Sequence, residues 1–288
     1  MKRFKKPEGE RLIYESYDRL LKEWGIAIEE RDMETAYGLT HVIVAGNPEN
    51  PPLLLFHGVG DNSAVMWIYN MRKLAEHFHV VAVDTMGGPG KSEPNEAYFK
   101  AFDLSLWIGD ILRALGFDKT YIAGVSNGGY MASRFTALNQ EKVHRIVCMA
   151  SGITLNVFKM MTVFLPEALF PSEKSTASLL RKLTAPGSDA FSKNKELMQH
   201  WRYLLKYFNN RSMMPHKPAA FRDEELKVLK YKALFLIGEY DRLTHYPKSL
   251  GQLRDKGMRY SIVKHAGHGI NHEQPELVNE EIVRFLLN

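Results

Sequence analysis

The clearest chemical signal in the chain is Tyr121-Ile122-Ala123-Gly124-Val125-Ser126-Asn127-Gly128-Gly129-Tyr130. An apolar run precedes Ser126, a helical pattern follows it, and glycines stand two residues to either side. This spacing suits a serine nucleophile. An attacking hydroxyl must stand clear of the backbone on a sharp strand-to-helix turn, and glycine at 124 and 128 removes the Cβ atoms that would clash there. The Asn127 N–H then opens the helix and can bind a developing oxyanion. G-x-S-x-G by itself is common by chance. With a strand before it and a helix after it, the motif is specific.

A serine needs a base, and the base needs an orienting acid. Of eleven histidines, His268 lies in Val263-Lys264-His265-Ala266-Gly267-His268-Gly269, a loop after the last apolar run. His265 sits closer to the strand end and reads as structural. His272 falls toward the last helix, and His57 reads as a buried residue shaping a turn. For the acid, Asp241 closes Phe235-Leu236-Ile237-Gly238-Glu239-Tyr240-Asp241 directly after a buried strand, with Glu239 as its rival. The order Ser126, Asp241, His268 is nucleophile, acid, base. His57-Gly58-Val59-Gly60 supplies a second oxyanion donor, the N–H of Val59. Asp84 to Ser92 is a glycine-rich turn without the lysine and Ser/Thr of a phosphate-binding loop.

These residues need a scaffold. Pro52 to Gly58 and Val80 to Asp84 read as buried strands, with helical spacing from Ala64 to His77 between them. Strand, helix, strand at this spacing predicts right-handed crossovers and a parallel sheet. The rhythm continues with a helix over Leu104 to Leu115, capped by Asp103 and stopped by Gly116. Strands follow at Lys119 to Val125 and Val143 to Ala150, with a helix over Gly128 to Asn139 between them. It then breaks from Leu155 to Arg222, a segment rich in methionine and aromatics that suits several short helices. It resumes with strands at Tyr231 to Ile237 and Arg259 to Val263 and helices over Lys248 to Lys256 and Pro275 to Leu287. Ala27 to Arg31 and Thr40 to Ala45 look like an antiparallel start, and the amphipathic stretch Glu10 to Trp24 is expected to pack on the outside. The expected organisation is a core first part over 1–154 (1–25 an N-terminal helical extension), a helical lid over 155–222 inserted after the sixth strand, and a core second part over 223–288.

Together these motifs resemble the α/β-hydrolase superfamily over essentially the whole chain. More closely, the sequence is similar to bacterial carboxylesterases of the naproxen-esterase type. The likeness rests on Tyr14-Glu15-Ser16-Tyr17 with Trp24 and Gly38-Leu39-Thr40-His41-Val42-Ile43, on Val83-Asp84-Thr85-Met86-Gly87-Gly88-Pro89-Gly90-Lys91-Ser92, and on Ala266-Gly267-His268 followed by Glu273-Gln274-Pro275. The resemblance implies a mostly parallel central sheet flanked by helices, a small-molecule ester substrate and no cofactor. Two positions depart from it. Asn127 stands where Met or Leu is usual, and Asp61 stands beside the oxyanion site where apolar or small residues are more familiar.

Composition narrows the remaining classes. The 288 residues carry a net charge of +5. From Leu155 to Arg222 there are eleven Lys/Arg against four Asp/Glu, a net of +7, so the remainder is at −2. The basic excess belongs to one insert and not to a stripe, and no nucleic-acid-binding motif accompanies it. No apolar run is long enough to cross a membrane. The basic start of the chain is not followed by an apolar run, so no secretory signal is expected. A single cysteine, Cys148, cannot make an internal disulfide, and these features favour the cytoplasm. A homodimer is left open. So are two other activities, a C–C bond hydrolase or lactonase using the same residues and a non-catalytic ligand receptor. An epoxide hydrolase or dehalogenase would need aspartate at position 126.

Overall fold

The computed structural model describes residues 1–153, 162–164, 166–167, 169–244 and 247–288. The expected start of the insert at Leu155, with Phe158, Met160 and Met161 inside it, lies outside the described residues. The sheet consists of β1 (Glu29–Thr35), β2 (Gly38–Ala45), β3 (Pro52–Phe56), β4 (His79–Val83), β5 (Glu93–Pro94), β6 (Thr120–Val125), β7 (Val143–Met149), β8 (Ala233–Gly238) and β9 (Arg259–Val263). Their order is β1-β2-β4-β3-β6-β7-β8-β9, with β5 beside β2. β2 runs antiparallel to β1, β4 and β5, and the strands from β4 across to β9 are parallel.

Along β3, Leu53 and Leu55 enter the core on one face of the sheet while Leu54 and Phe56 enter the core on the other. Successive strand side chains alternate, and both faces are covered, so the strand reads as an unbroken apolar run. Helices Pro7–Glu23 and Pro275–Leu287 cover one face. Helices Leu104–Leu115, Asn127–Leu138, Asp223–Lys232 and Lys248–Asp255 cover the other. The caps behave as their residue types dictate. Asp103 accepts the N–H groups of Ser105 and Leu106, and Gly116 ends that helix at φ +70°.

Four points bear on the expectations. First, the two-residue β5 carries no periodic signal, so the strand read as sixth, Val143 to Ala150, is β7; the insert follows it at the expected place in the chain. Within the insert lie helices Glu173–Leu183 and Lys195–Tyr207. Second, the single helix expected over Ala64 to His77 is two short ones, Ser63–Met66 and Met71–Ala75. The intervening turn lets the Asn70 amide meet Asn279 and Asn271, while Trp67, Met71 and Leu74 are buried as their spacing required. Third, Tyr231 and Lys232 close a helix, and the strand begins at Ala233.

The fourth concerns the N-terminal helix, which exposes Glu8, Arg11, Glu15 and Asp18 as its amphipathic pattern requires and packs its apolar face on the insert as well as on the core. Ile13, Tyr17 and Leu20 are fully buried, and the helix lies against Lys195–Tyr207 of the insert. A Cβ on Gly9 would run into the Tyr207 ring, so glycine permits the close approach. Polar groups lock the contact. Ser16 Oγ is 2.8 Å from His200 Nδ1, and the Tyr17 hydroxyl donates to Asp84 Oδ2 at 2.9 Å. An amphipathic pattern shows that one face is buried; it does not show what buries it.

Candidate active site

The register of the parallel strands brings the chemistry to one edge. Phe56 pairs with Gly124, Gly124 with Cys148, Cys148 with Phe235, and Phe235 with Tyr260. The loops leaving β3, β6, β8 and β9 therefore emerge side by side at the carboxyl ends of the strands, where open α/β sheets place ligands.

At the end of β6, Ser126 adopts φ +56° and ψ −116° and starts helix Asn127–Leu138. That backbone is costly for a residue with a side chain, by about 1–3 kcal/mol, and persists only where its surroundings enforce it. Here the Ser126 N–H donates to the Met149 carbonyl at 2.8 Å and its carbonyl accepts the Tyr130 N–H at 3.1 Å. A Cβ on Gly124 would strike the Gly128 carbonyl group, and one on Gly128 would strike the Phe56 carbonyl. Asn127 is the first residue of the helix, so its N–H has no partner within it. Val59 lies in the wall of the same cavity as Ser126.

His268, beyond β9, places Nδ1 3.1 Å from both Asp241 Oδ1 and Oδ2. Asp241 is 1% exposed, and its Oδ1 also accepts the N–H groups of Leu243 at 2.9 Å and Thr244 at 3.1 Å. Burial by itself would raise the Asp241 carboxyl. The His268 charge and these hydrogen bonds outweigh it and hold the group below the usual carboxylate range. Burial would likewise lower the His268 imidazole. The Asp241 charge and hydrogen bond, with Asp61 and Glu273 behind them, outweigh it and hold it above the ordinary histidine value. Among the described contacts no hydrogen bond joins Ser126 to His268, although both line the cavity. Such bonds are often long in free enzymes and tighten with substrate.

The rival residues sit elsewhere. Glu239 Oε2 accepts the backbone N–H of His265 at 3.2 Å, and His265 is exposed. His272 is buried with Nε2 2.9 Å from the Val65 carbonyl, and burial pushes it down to about 4. His57 accepts the Thr85 N–H at Nε2, 2.8 Å, with Nδ1 2.8 Å from the Gly58 carbonyl. Each is occupied in holding a loop. Asp84 is a hub of the same kind: its carboxylate accepts from Tyr17, Ser63 and Lys91.

The cavity over Ser126 is small, about 40 Å³, with Phe164, Leu183, Phe191 and Trp201 of the insert as its ceiling. That is room for a few water molecules. Among the described residues, aromatic and leucine side chains form it and methionines do not. Met198 packs on the core, Met213 is buried elsewhere and Met214 is exposed. The ceiling is tied to the histidine loop. Glu273 accepts the Ala185 N–H and the Gly267 N–H, each at 2.7 Å, and the Gly269 N–H donates to the Leu183 carbonyl at 3.0 Å. Sequence reasoning did not assign this role to Glu273, because both partners are backbone groups and one of them, Ala185, is 88 residues away. It also missed Asn271 and Trp201 as wall residues. Among the described residues no cluster of three metal-ligating side chains occurs, and no helix is long and apolar enough to cross a membrane.

A family model described as the alpha/beta hydrolase fold matches residues 51–275. Carboxylesterase YbfK of Bacillus subtilis is 29% identical over 280 residues, spanning 95% of this chain and 93% of its own. A solved structure of that protein, carboxylesterase CesB (YbfK), superposes with a TM-score of 0.82 at 28% identity, covering 97% of this chain and 98% of the other. The naproxen esterase of Bacillus subtilis superposes with a TM-score of 0.84 over 99% of this chain and 100% of its own. Its identity is 23%, and the likeness speaks to the fold alone.

Proposed function

The chain belongs to the alpha/beta hydrolase fold family, and on that premise we propose that it hydrolyses small carboxylic esters through an acyl-enzyme on Ser126. Ser126 Oγ attacks the ester carbonyl while His268 Nε2 takes its proton, and the N–H groups of Val59 and Asn127 hold the resulting oxyanion. Asp241 keeps the proton of the resting imidazole on Nδ1, so that Nε2 is free to act, and stabilises the imidazolium that forms. The imidazolium then protonates the departing alkoxide, which leaves as the alcohol. Water, deprotonated by His268, attacks the acyl-enzyme and releases the carboxylic acid, restoring Ser126. The reaction needs no cofactor. The segment 155–222 acts as the lid, and the cytoplasm is the proposed site of action.

The observation that carries this reading is the His268–Asp241 contact beside the strained serine. Whole-length relatives named carboxylesterases supply the ester. The test is hydrolysis of p-nitrophenyl butyrate together with labelling by a fluorophosphonate probe. We expect turnover, a covalent adduct on Ser126, and a loss of 10³-fold or more in Ser126→Ala, an order of magnitude typical for a removed nucleophile. Labelling at another residue, or activity retained in the variant, would overturn it.

A further inference from the structure

Three of the residues that line the cavity each carry a buried polar atom with no hydrogen-bond partner among the described residues: Asp61 Oδ1, Asn271 Oδ1 and Trp201 Nε1. All three residues are deeply buried, at 6%, 0% and 5% exposure. Buried polar groups are nearly always paired, so three orphans around one cavity require a reason. The rest of the wall includes Met66, Val125, Phe164, Leu183 and Phe191, and a plain hydrocarbon acyl chain would leave all three unpaired.

Their orientations are partly fixed. Asn271 spends its amide N–H groups on the Met66 carbonyl at 2.7 Å and on Asn70 Oδ1 at 3.1 Å, which leaves its carbonyl oxygen as a free acceptor. Asp61 belongs to the same loop as Val59. A methyl group built on Gly58 would stand 2.9 Å from Asp61 Oδ2 and 3.6 Å from Ser126 Cβ, so the carboxyl and the nucleophile flank one Cα. Among the described residues no salt bridge reaches Asp61; His268 is the charged group that acts on it.

We propose that Asp61, with Asn271 and Trp201, forms a polar subsite that selects esters carrying a hydroxyl group close to the scissile bond. The inference rests on the esterase reading above. Two orphan acceptors and one orphan donor match a group that both donates and accepts. A hydroxyl does so, whereas an ammonium group only donates and would leave the Trp201 N–H unpaired. Burial pushes the Asp61 carboxyl up to about 7, so near neutrality its neutral form is available both to donate to a hydroxyl and to accept from one. A site built to pair a hydroxyl discriminates strongly against the analogue lacking it, because its own buried groups are then stranded. Asp61 is thus a specificity-determining residue.

The experiment compares kcat/KM for ethyl butyrate, ethyl 3-hydroxybutyrate, 2-hydroxyethyl butyrate and ethyl 3-aminobutyrate. The two hydroxylated esters distinguish an acyl-side hydroxyl from an alcohol-side one. We expect at least one of them to exceed ethyl butyrate by about 10-fold or more. Asp61→Ala should bring that ratio close to one, and Asp61→Asn, which still pairs a hydroxyl, should retain part of it. Fluorophosphonate labelling of Ser126 in each variant reports an intact site. Wild-type labelling and turnover without a hydroxyl preference would overturn this inference and leave the esterase reading standing. A ratio unchanged in labelled Asp61→Ala would overturn it equally, and preference for the amino ester would assign the subsite to a cation instead. Absence of both labelling and ester turnover in the wild type would overturn the parent reading and the subsite with it.

Discussion

His268 Nδ1 lies equally far, 3.1 Å, from the two carboxylate oxygens of Asp241. On the proposed mechanism the aspartate holds the ring's proton on Nδ1 and leaves Nε2 as the lone-pair nitrogen. Asp241→Asn can present an N–H to Nδ1, which favours the wrong tautomer. We expect a folded variant whose kcat falls by roughly two to four orders of magnitude. Glu239→Gln should lose far less, because Glu239 serves the His265 backbone. Steady-state kinetics on p-nitrophenyl butyrate rank the two, and the reverse ranking would mean that the acid is misassigned.

The pH profile follows from the charges around the base. His268 must be neutral to accept the serine proton, and its pKa in the free protein is held above the ordinary value, which Asp241 and Asp61 both support. The acid limb of kcat/KM should therefore lie above about 6.5. Removing the Asp61 charge removes one stabiliser of the imidazolium, so Asp61→Asn should move that limb to lower pH. A limb unmoved or shifted upward would contradict the coupling.

Stability carries a second signature of Asp61. Its folded-state pKa, about 7, is above that of an exposed aspartate. Between about pH 4 and 7 the folded state binds more protons than the unfolded chain, so this residue's contribution to stability is lost as pH rises through that window. Asp61→Asn keeps the shape and cannot ionise. It should raise Tm by about 2 °C or more at pH 8 and by less at pH 5. Calorimetry at the two pH values decides the matter.

Ser16→Ala tests the seam between the N-terminal helix and the lid. His200 is kept neutral by burial, which pushes it down to about 3, and it accepts from Asn62 Nδ2 at Nε2. Its Nδ1–H then has only Ser16 Oγ to receive it among the described contacts. Stranding that donor should cost about 1–3 kcal/mol in urea unfolding. A cost near zero would show that the seam is held by apolar packing alone.

The lid's +7 charge gives a salt test. If it steers substrate, kcat/KM for an anionic ester should fall more steeply with ionic strength than for a neutral ester of the same size. Equal responses would assign the charge to a solvated surface. Short acyl chains should be preferred in either case, because the cavity beneath Phe191 and Trp201 is small.

Local pattern carried far in this chain, for a physical reason. Ser126 is placed by its own neighbours: glycine at 124 and 128 is required because a Cβ at either would strike backbone in this tight strand-to-helix turn, and the alternation or continuity of apolar residues reports directly which faces are buried. Strand order and register then bring loops from β3, β6, β8 and β9 together, so that chain order sufficed to nominate Asp241 and His268. Tertiary structure alone decided what each polar group meets. Only the assembled sheet shows that His57 and His272 are tied to backbone, that Glu239 faces His265, and that the N-terminal helix packs against helix Lys195–Tyr207 of the insert. Asp61 shows the limit most clearly. The sequence marks Asp61 as an unusual polar residue beside the oxyanion site but does not say what it meets. Its burial, and with it the chemistry it can perform, exists only in the fold, where it shares a cavity wall with Trp201 of the insert and with Asn271 and His268 beyond β9.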